Sequence, residues 1–142
     1  MKNNQSDFKQ FIREREKASE AYVNGEVAPL NRVSTQVSPA TIFGPMGTCV
    51  EGAKKVNAAN AQGAKSFGPG GETHFEFMQR MEDDNLAFWA GIQRAKVRLQ
   101  GKKKPIQMDL RVTEIFRREK GAWKLIHRHA DPLKTTSKNG KK

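Results

Sequence analysis

Two hydrophobic periods divide this chain. From Phe8 to Tyr22 apolar residues return every third or fourth position (Phe8, Phe11, Ile12, Ala18, Ala21, Tyr22), with charged residues on the other face. That spacing predicts an amphipathic helix of about five turns. Ser6 or Asp7 can cap its start, and Asn24-Gly25 is a stop signal. Glu26 to Val33, carrying Pro29, predicts a short helix or turn. Thr41-Ile42-Phe43 predicts a short strand ended by the turn Gly44-Pro45-Met46-Gly47. Glu51 to Ala64 predicts a further, alanine-rich helix with Val50 and Val56 turned inward, and Gly68-Pro69-Gly70-Gly71 breaks the chain.

Beyond Glu72 the period changes to two. Thr73, Phe75, Phe77 and Met81 alternate with His74, Glu76, Arg80 and Glu82. After the turn Asp83-Asp84-Asn85, the residues Leu86, Phe88, Ala90 and Ile92 alternate with Ala87, Trp89, Gly91 and Gln93. Ile106, Met108, Leu110, Val112 and Phe116 form the next alternating run. Lys120-Gly121 makes a hairpin turn into a last run through Trp123, Leu125 and His127. Helices first and a strand meander afterwards predict an α+β fold. A long twisted antiparallel sheet must cover one face, and the leading helices are the available cover. The expected form is a cone-shaped, curved antiparallel sheet wrapped around the N-terminal helices, with an apolar hollow. There is no internal repeat.

Composition refines this picture. With 142 residues the chain suits a single domain; the expected layout is a loose N-terminus over 1–5, the domain over 6–133 and a basic tail over 134–142. One cysteine, Cys49, allows no internal disulfide and no cysteine-based metal site, which suits a reducing, cytoplasmic setting. The polar start MKNNQSDFKQF lacks the apolar core of a signal peptide, and no run approaches membrane-spanning length. Twenty-six Lys and Arg against fifteen Asp and Glu give a net charge of +11. Part of this excess lies in the tail and part in Lys102-Lys103-Lys104, where solvated lysines are the simplest account. Nucleic-acid binding wants cations interleaved with exposed aromatics, and here the aromatics alternate as core residues do.

The segment Leu110-Arg111-Val112-Thr113-Glu114-Ile115-Phe116-Arg117-Arg118-Glu119, followed by Gly121-Ala122-Trp123-Lys124-Leu125-Ile126-His127-Arg128-His129-Ala130-Asp131, resembles the closing hairpin of SnoaL-like, ketosteroid-isomerase-like proteins of the nuclear transport factor 2-like superfamily. Ala40 to Pro45 with Glu51-Gly52, and Phe88 to Ile92, are similar to the first and central strands of the same group. The resemblance spans residues 8 to 133. It implies a conical barrel, usually a homodimer packed through the outer sheet face, and a superfamily whose members range from isomerases, cyclases and dehydratases to non-catalytic binding or assembly domains. Fold alone selects none of these. The isomerase machinery is not carried over. Gly44 stands where that enzyme's base falls, Ala18 where its tyrosine donor falls, with Tyr22 one turn further on, and its second acidic donor falls near Thr113 or Glu114.

The remaining polar candidates sit on adjacent strands. By strict alternation His127, His129 and Asp131 share a face with Trp123 and Leu125, while Arg128 shares the other with Ile126 and Ala130. Asp109, Arg111 and Thr113 likewise share a face. The His-x-His-x-Asp run can supply a general base with an orienting carboxylate, or hydrogen-bonded residues at a strand end or dimer interface. A third convincing metal ligand is lacking. Arg111 and Arg128 can hold an anion, as arginines do in the cone of the related kinase association domain, or can each pair with Asp109, Glu114 or Asp131. Trp89 and Phe43 are candidates for the pocket wall. The expectation is a small-molecule-binding domain for an apolar or anionic metabolite. If catalytic, it needs no cofactor: His129 or His127 is the base, Asp131 orients it, Arg111 or Arg128 holds an oxyanion, and Tyr22, Phe43, Trp89 and Thr113 complete the site. A non-catalytic dimeric module is the alternative.

Overall fold

The computed structural model describes residues 4–134; the tail beyond Lys134 lies outside the described residues. The chain runs α1 (Asn4–Tyr22), α2 (Ala28–Val33), β1 (Thr41–Phe43), β2 (Cys49–Glu51), α3 (Ala53–Ala64), β3 (Glu72–Glu82), β4 (Leu86–Val97), β5 (Ile106–Gln107), β6 (Leu110–Glu119) and β7 (Ala122–Pro132). One curved, unclosed sheet is ordered β2-β1-β7-β6-β4-β3, with β5 added to β4; every pairing is antiparallel except β1 with β7. The four long strands and the helical lid are those the alternation predicts.

Two local departures have physical causes. Residues Cys49–Glu51 pair with β1 as a strand, so α3 begins only after Gly52, whose φ of 100° is a left-handed conformation that separates strand from helix. The second departure concerns parity. A bulge on β7 lets Phe116 oppose Leu125 while Ile115 opposes His127, leaving Ile126 as the extra residue. Trp123 and Leu125 therefore lie on the inner face together with Arg128 and Ala130, and the face shared by Trp123, Leu125 and the histidines does not exist. A bulge on β3 at Met78 similarly separates Met81, which is exposed, from Phe75 and Phe77 on the inner face.

The core fills the concave side. Phe8, Phe11 and Ile12 of α1 pack against Phe116 and Trp123, with the Phe8 ring 5.3 Å from Trp123 and 5.7 Å from Phe116. Each fully buried aromatic or aliphatic side chain of this kind contributes about 1.5–3 kcal/mol. The helices thereby plug one end of the cone with side chains and leave the other end hollow. No helix among the described residues is long and apolar enough to cross a membrane.

Candidate ligand-binding site

The hollow end is a cavity of about 220 Å³ bounded by α1, α2, α3 and the inner faces of β1, β4, β6 and β7. Val23, Leu30, Phe67, Met108, Leu110 and Leu125 supply apolar wall. Polar atoms reach it from Arg15, Ser19 and Tyr22 on α1, Gln93 on β4, Arg128 on β7 and Asn60 on α3. That volume is many times what one water needs, so the cavity has room for a small molecule.

Beside this cavity stands a buried charge cluster. Glu114 is fully buried at the inward parity of β6, between Val112 and Phe116. Arg15 grips it bidentately, Nε donating to Oε1 at 3.0 Å and Nη2 to Oε2 at 2.6 Å. Arg128 Nη1 donates to Oε2 at 2.7 Å, and Trp89 Nε1 donates to Oε1 at 3.0 Å. Arg128 Nη2 also donates to Gln93 Oε1 at 2.7 Å, and Gln93 Nε2 donates to Ser19 Oγ and Thr73 Oγ1. Burial alone would raise the Glu114 pKa; the Arg15 and Arg128 charges and their hydrogen bonds outweigh it and hold the carboxyl below its ordinary range. Burial lowers the Arg128 pKa, with Glu114 opposing and Arg15 adding to the shift. The Arg128 guanidinium nonetheless remains charged at neutral pH.

The cluster is not balanced. Two guanidiniums face one carboxylate, so one positive charge is left over in a low-dielectric setting. Arg15 is only 3% exposed, and its Nη1 has no hydrogen-bond partner among the described residues. A buried donor without an acceptor costs about 1–3 kcal/mol, more when charged. Nor does any described residue hydrogen-bond the Tyr22 hydroxyl; burial raises its pKa against the opposing Arg128 and Arg15 charges, so it stays protonated and can donate. It lies so close to α3 that a Cβ at Gly63 would collide with it, and glycine at that position admits the hydroxyl.

The sequence candidates separate into two groups. Tyr22, Phe43 and Arg128 border the cavity. Trp89 is fully buried behind it and acts on Glu114 rather than on an occupant. His127 borders the cavity on its β1 side, with Nδ1 2.7 Å from Thr41 Oγ1 and its ring 4.9 Å from that of Phe43. Burial, then the nearby His129, lowers its pKa, which favours neutral imidazole. His129, Asp131, Arg111 and Thr113 stand on the outer face of the sheet. Arg111 is 65% exposed and paired bidentately with Asp131, while His129, 48% exposed, lies 3.6 Å from the same carboxylate. The structure therefore does not bring Arg111 together with Arg128; the partner of Arg128 across the cone is Arg15. Arg15, Ser19 and Gln93 escaped the sequence reading. The signal for Arg15 was present, since it falls on the apolar stripe between Ile12 and Ala18. Among the described residues no three His, Cys, Asp or Glu side chains converge as a metal site.

A curved sheet covered by helices, with a cation-rich hollow at one end, defines a cone-shaped α+β domain. Solved structures give that architecture its name: the chain has the nuclear transport factor 2-like, or cystatin-like, fold. A candidate dehydratase of the NTF2-like family from Streptomyces avermitilis superposes with a TM-score of 0.77 at 16% identity, over 94% of this chain and all of the other (100%). An NTF2-like superfamily protein from Salmonella enterica gives 0.70 at 10% identity, covering 96% of each chain. A candidate calcium/calmodulin-dependent protein kinase type II association domain from Thiobacillus denitrificans gives 0.67 at 15% identity, over 85% of this chain and 93% of the other. No family model matches the sequence, and no curated protein matches it.

Proposed function

We propose that this domain, a SnoaL-like member of the nuclear transport factor 2-like group, binds a small apolar carboxylate in the cone. The observation that carries the reading is the buried Arg15 Nη1 without an acceptor, beside a cluster with one surplus positive charge. Of the polar groups at the cavity, the Tyr22 hydroxyl and the Ser19 hydroxyl hydrogen are free donors, Arg15 and Arg128 add positive charge, Asn60 offers both a donor and an acceptor, and much of the remaining wall is apolar. An acceptor-only head on an apolar body matches both. A carboxylate about 4 Å from a guanidinium gains about 4 kcal/mol before desolvation at the effective dielectric of such sites. Because Glu114 is clamped by two arginines, it is a poor base. Catalysis, if an isomerase, cyclase or hydro-lyase activity is present, falls to neutral His127 at the rim, with the Tyr22 hydroxyl and Arg15 stabilising an oxyanion. The single cysteine accords with a cytoplasmic setting.

The test is a thermal-shift series with matched acids and amides, such as benzoate against benzamide and hexanoate against hexanamide. A ligand at a hundred times its Kd stabilises by about 2.7 kcal/mol, so acids are expected to raise the melting midpoint by several degrees and amides to leave it unmoved. Equal responses to acid and amide, or none to either, would refute the reading.

A second reading, a dimeric assembly module, is favoured by the outer sheet face. There Leu86 and Met81 are 53% and 61% exposed, beside half-buried Phe88, Ile92 and Ile115. Pairing of two copies through this face is compatible with ligand binding, since the cavity opens on the opposite side of the sheet.

A further inference from the structure

We infer that one flank of the cavity mouth is an electrostatic funnel that speeds the entry of anions, an inference that rests on the carboxylate reading above. The flank is made of two segments, 53–71 (α3 and the turn after it) and 96–107 (the end of β4, the following loop and β5). Neither contains an Asp or Glu, although the whole chain has fifteen. Lys54, Lys55 and Lys65 stand exposed on the first, and Lys102, Lys103 and Lys104 on the second. Lys96 and Arg98 add to the same side.

The two segments are held together as one surface. Gly68 N donates to the Arg98 carbonyl at 2.7 Å and Gln100 N to the Ser66 carbonyl at 2.8 Å. Arg98 reaches back to the carbonyls of Lys102 and Pro69. Phe67, between these contacts, is cavity wall, as are Val56 and Asn60 on α3 and Met108 just after β5. The cations are therefore carried by the same two segments that supply part of the apolar wall, with Glu20 and Glu26 approaching the flank only at Pro69. Arg94, Arg111 and Arg117 each hold a carboxylate, whereas Lys54, Lys55, Lys65 and Lys102 to Lys104 form no ion pair among the described residues, as is true of the lysines on the rest of the domain. A cleft lined by one sign of charge and walled by low dielectric focuses the field and raises association rates by about 10- to 1,000-fold. Exposed lysines so placed act on the encounter and touch the seated ligand little, so their effect belongs to kon.

The experiment follows 4-fluorobenzoate by fluorine NMR exchange, which yields Kd and koff together and hence kon. Two variants of equal charge change are compared with the parent chain. One is K102Q/K103Q/K104Q in the loop; the other is K9Q/R13Q/K17Q on the exposed face of α1. At about 10 mM salt, where charges interact over about 30 Å, the loop variant is expected to lose about tenfold in kon. Its koff should stay within about twofold, since seated-ligand contacts are untouched. The α1 variant should lose distinctly less. At about 1 M salt, where the range falls to about 3 Å, all three proteins should converge. Equal kon for parent and loop variant at low salt, an equal loss in the α1 variant, or a loss that survives 1 M salt overturns the funnel while leaving the cavity reading intact. Failure of the parent chain to bind 4-fluorobenzoate at all overturns the carboxylate reading, and the funnel with it.

Discussion

Replacing Glu114 by Gln tests the charge cluster most directly. The side chain keeps its size and one acceptor oxygen, but the anion is lost and the buried excess rises from one positive charge to two. Glu114 accepts four hydrogen bonds at 2.6 to 3.0 Å, three of them from guanidiniums. Gross, bonds to a charged group contribute about 1.5–3 kcal/mol each, but desolvation of the three ions offsets most of this. Breaking a buried pair by removing one partner costs about 3–5 kcal/mol, because the remaining charge is stranded. At about 2–4 °C per kcal/mol for a domain of this size, the melting midpoint should fall by roughly 6–20 °C. The pH dependence gives a second, independent signature. The folded pKa of Glu114 is depressed, so its stabilisation is complete above the unfolded value of about 4.3 and is lost as pH falls through the folded value. Urea unfolding followed by tryptophan fluorescence between pH 3 and 7 should therefore show the parent weakening in acid with a steeper slope than E114Q. The variant, carrying more unbalanced positive charge, should also gain more from added benzoate than the parent does. An E114Q protein within about 1 kcal/mol of the parent at pH 7, with the same acid slope, would show that the cluster is neither buried nor coupled as described.

Three further outcomes follow from the same structure. G91A should destabilise by about 1–3 kcal/mol or more in urea titration, since its Cβ would overlap the Glu76 backbone carbonyl at the β3 bulge and backbone cannot yield as a side chain can. R111A should leave the melting midpoint unchanged within measurement scatter, because its ion pair with Asp131 lies on the exposed outer face; it should equally leave carboxylate binding unchanged, whereas a role for Arg111 in the cavity would lower it. On the proposed pairing of two copies through the outer sheet face, the parent chain sediments as a dimer and L86E/M81E as a monomer of unchanged thermal stability at low protein concentration, since both side chains are exposed there; a monomeric parent or a dimeric variant would refute that pairing.

How much of this was legible in the sequence depends on which periodicity a residue obeys. The helices and four long strands follow from the change of period near Glu72, because each period buries one face and nothing else in the chain competes with it. The orientation of the histidine run was not legible, because strict alternation fails at a bulge and the bulge at Ile126 leaves no mark in composition. One extra residue sends His129 and Asp131 outward while Arg128 stays with Trp123 and Leu125 inside. The cluster itself was half legible, and the reason is instructive. Arg15 sits on the apolar stripe of α1, Glu114 at an inward position between Val112 and Phe116, and Gln93 at an inward position between Gly91 and Ala95. Each breaks a hydrophobic pattern that its neighbours keep. Taken singly, such a residue reads as noise, since an exposed arginine costs a helix nothing. Taken together, they imply one another, because an ion on a buried stripe is stable only if another buried stripe supplies its counterion. That rule pairs Arg15 with Glu114 across 99 residues. It also exposes the imbalance, because after the pairing one inward cation has no further inward anion among the described residues to meet it.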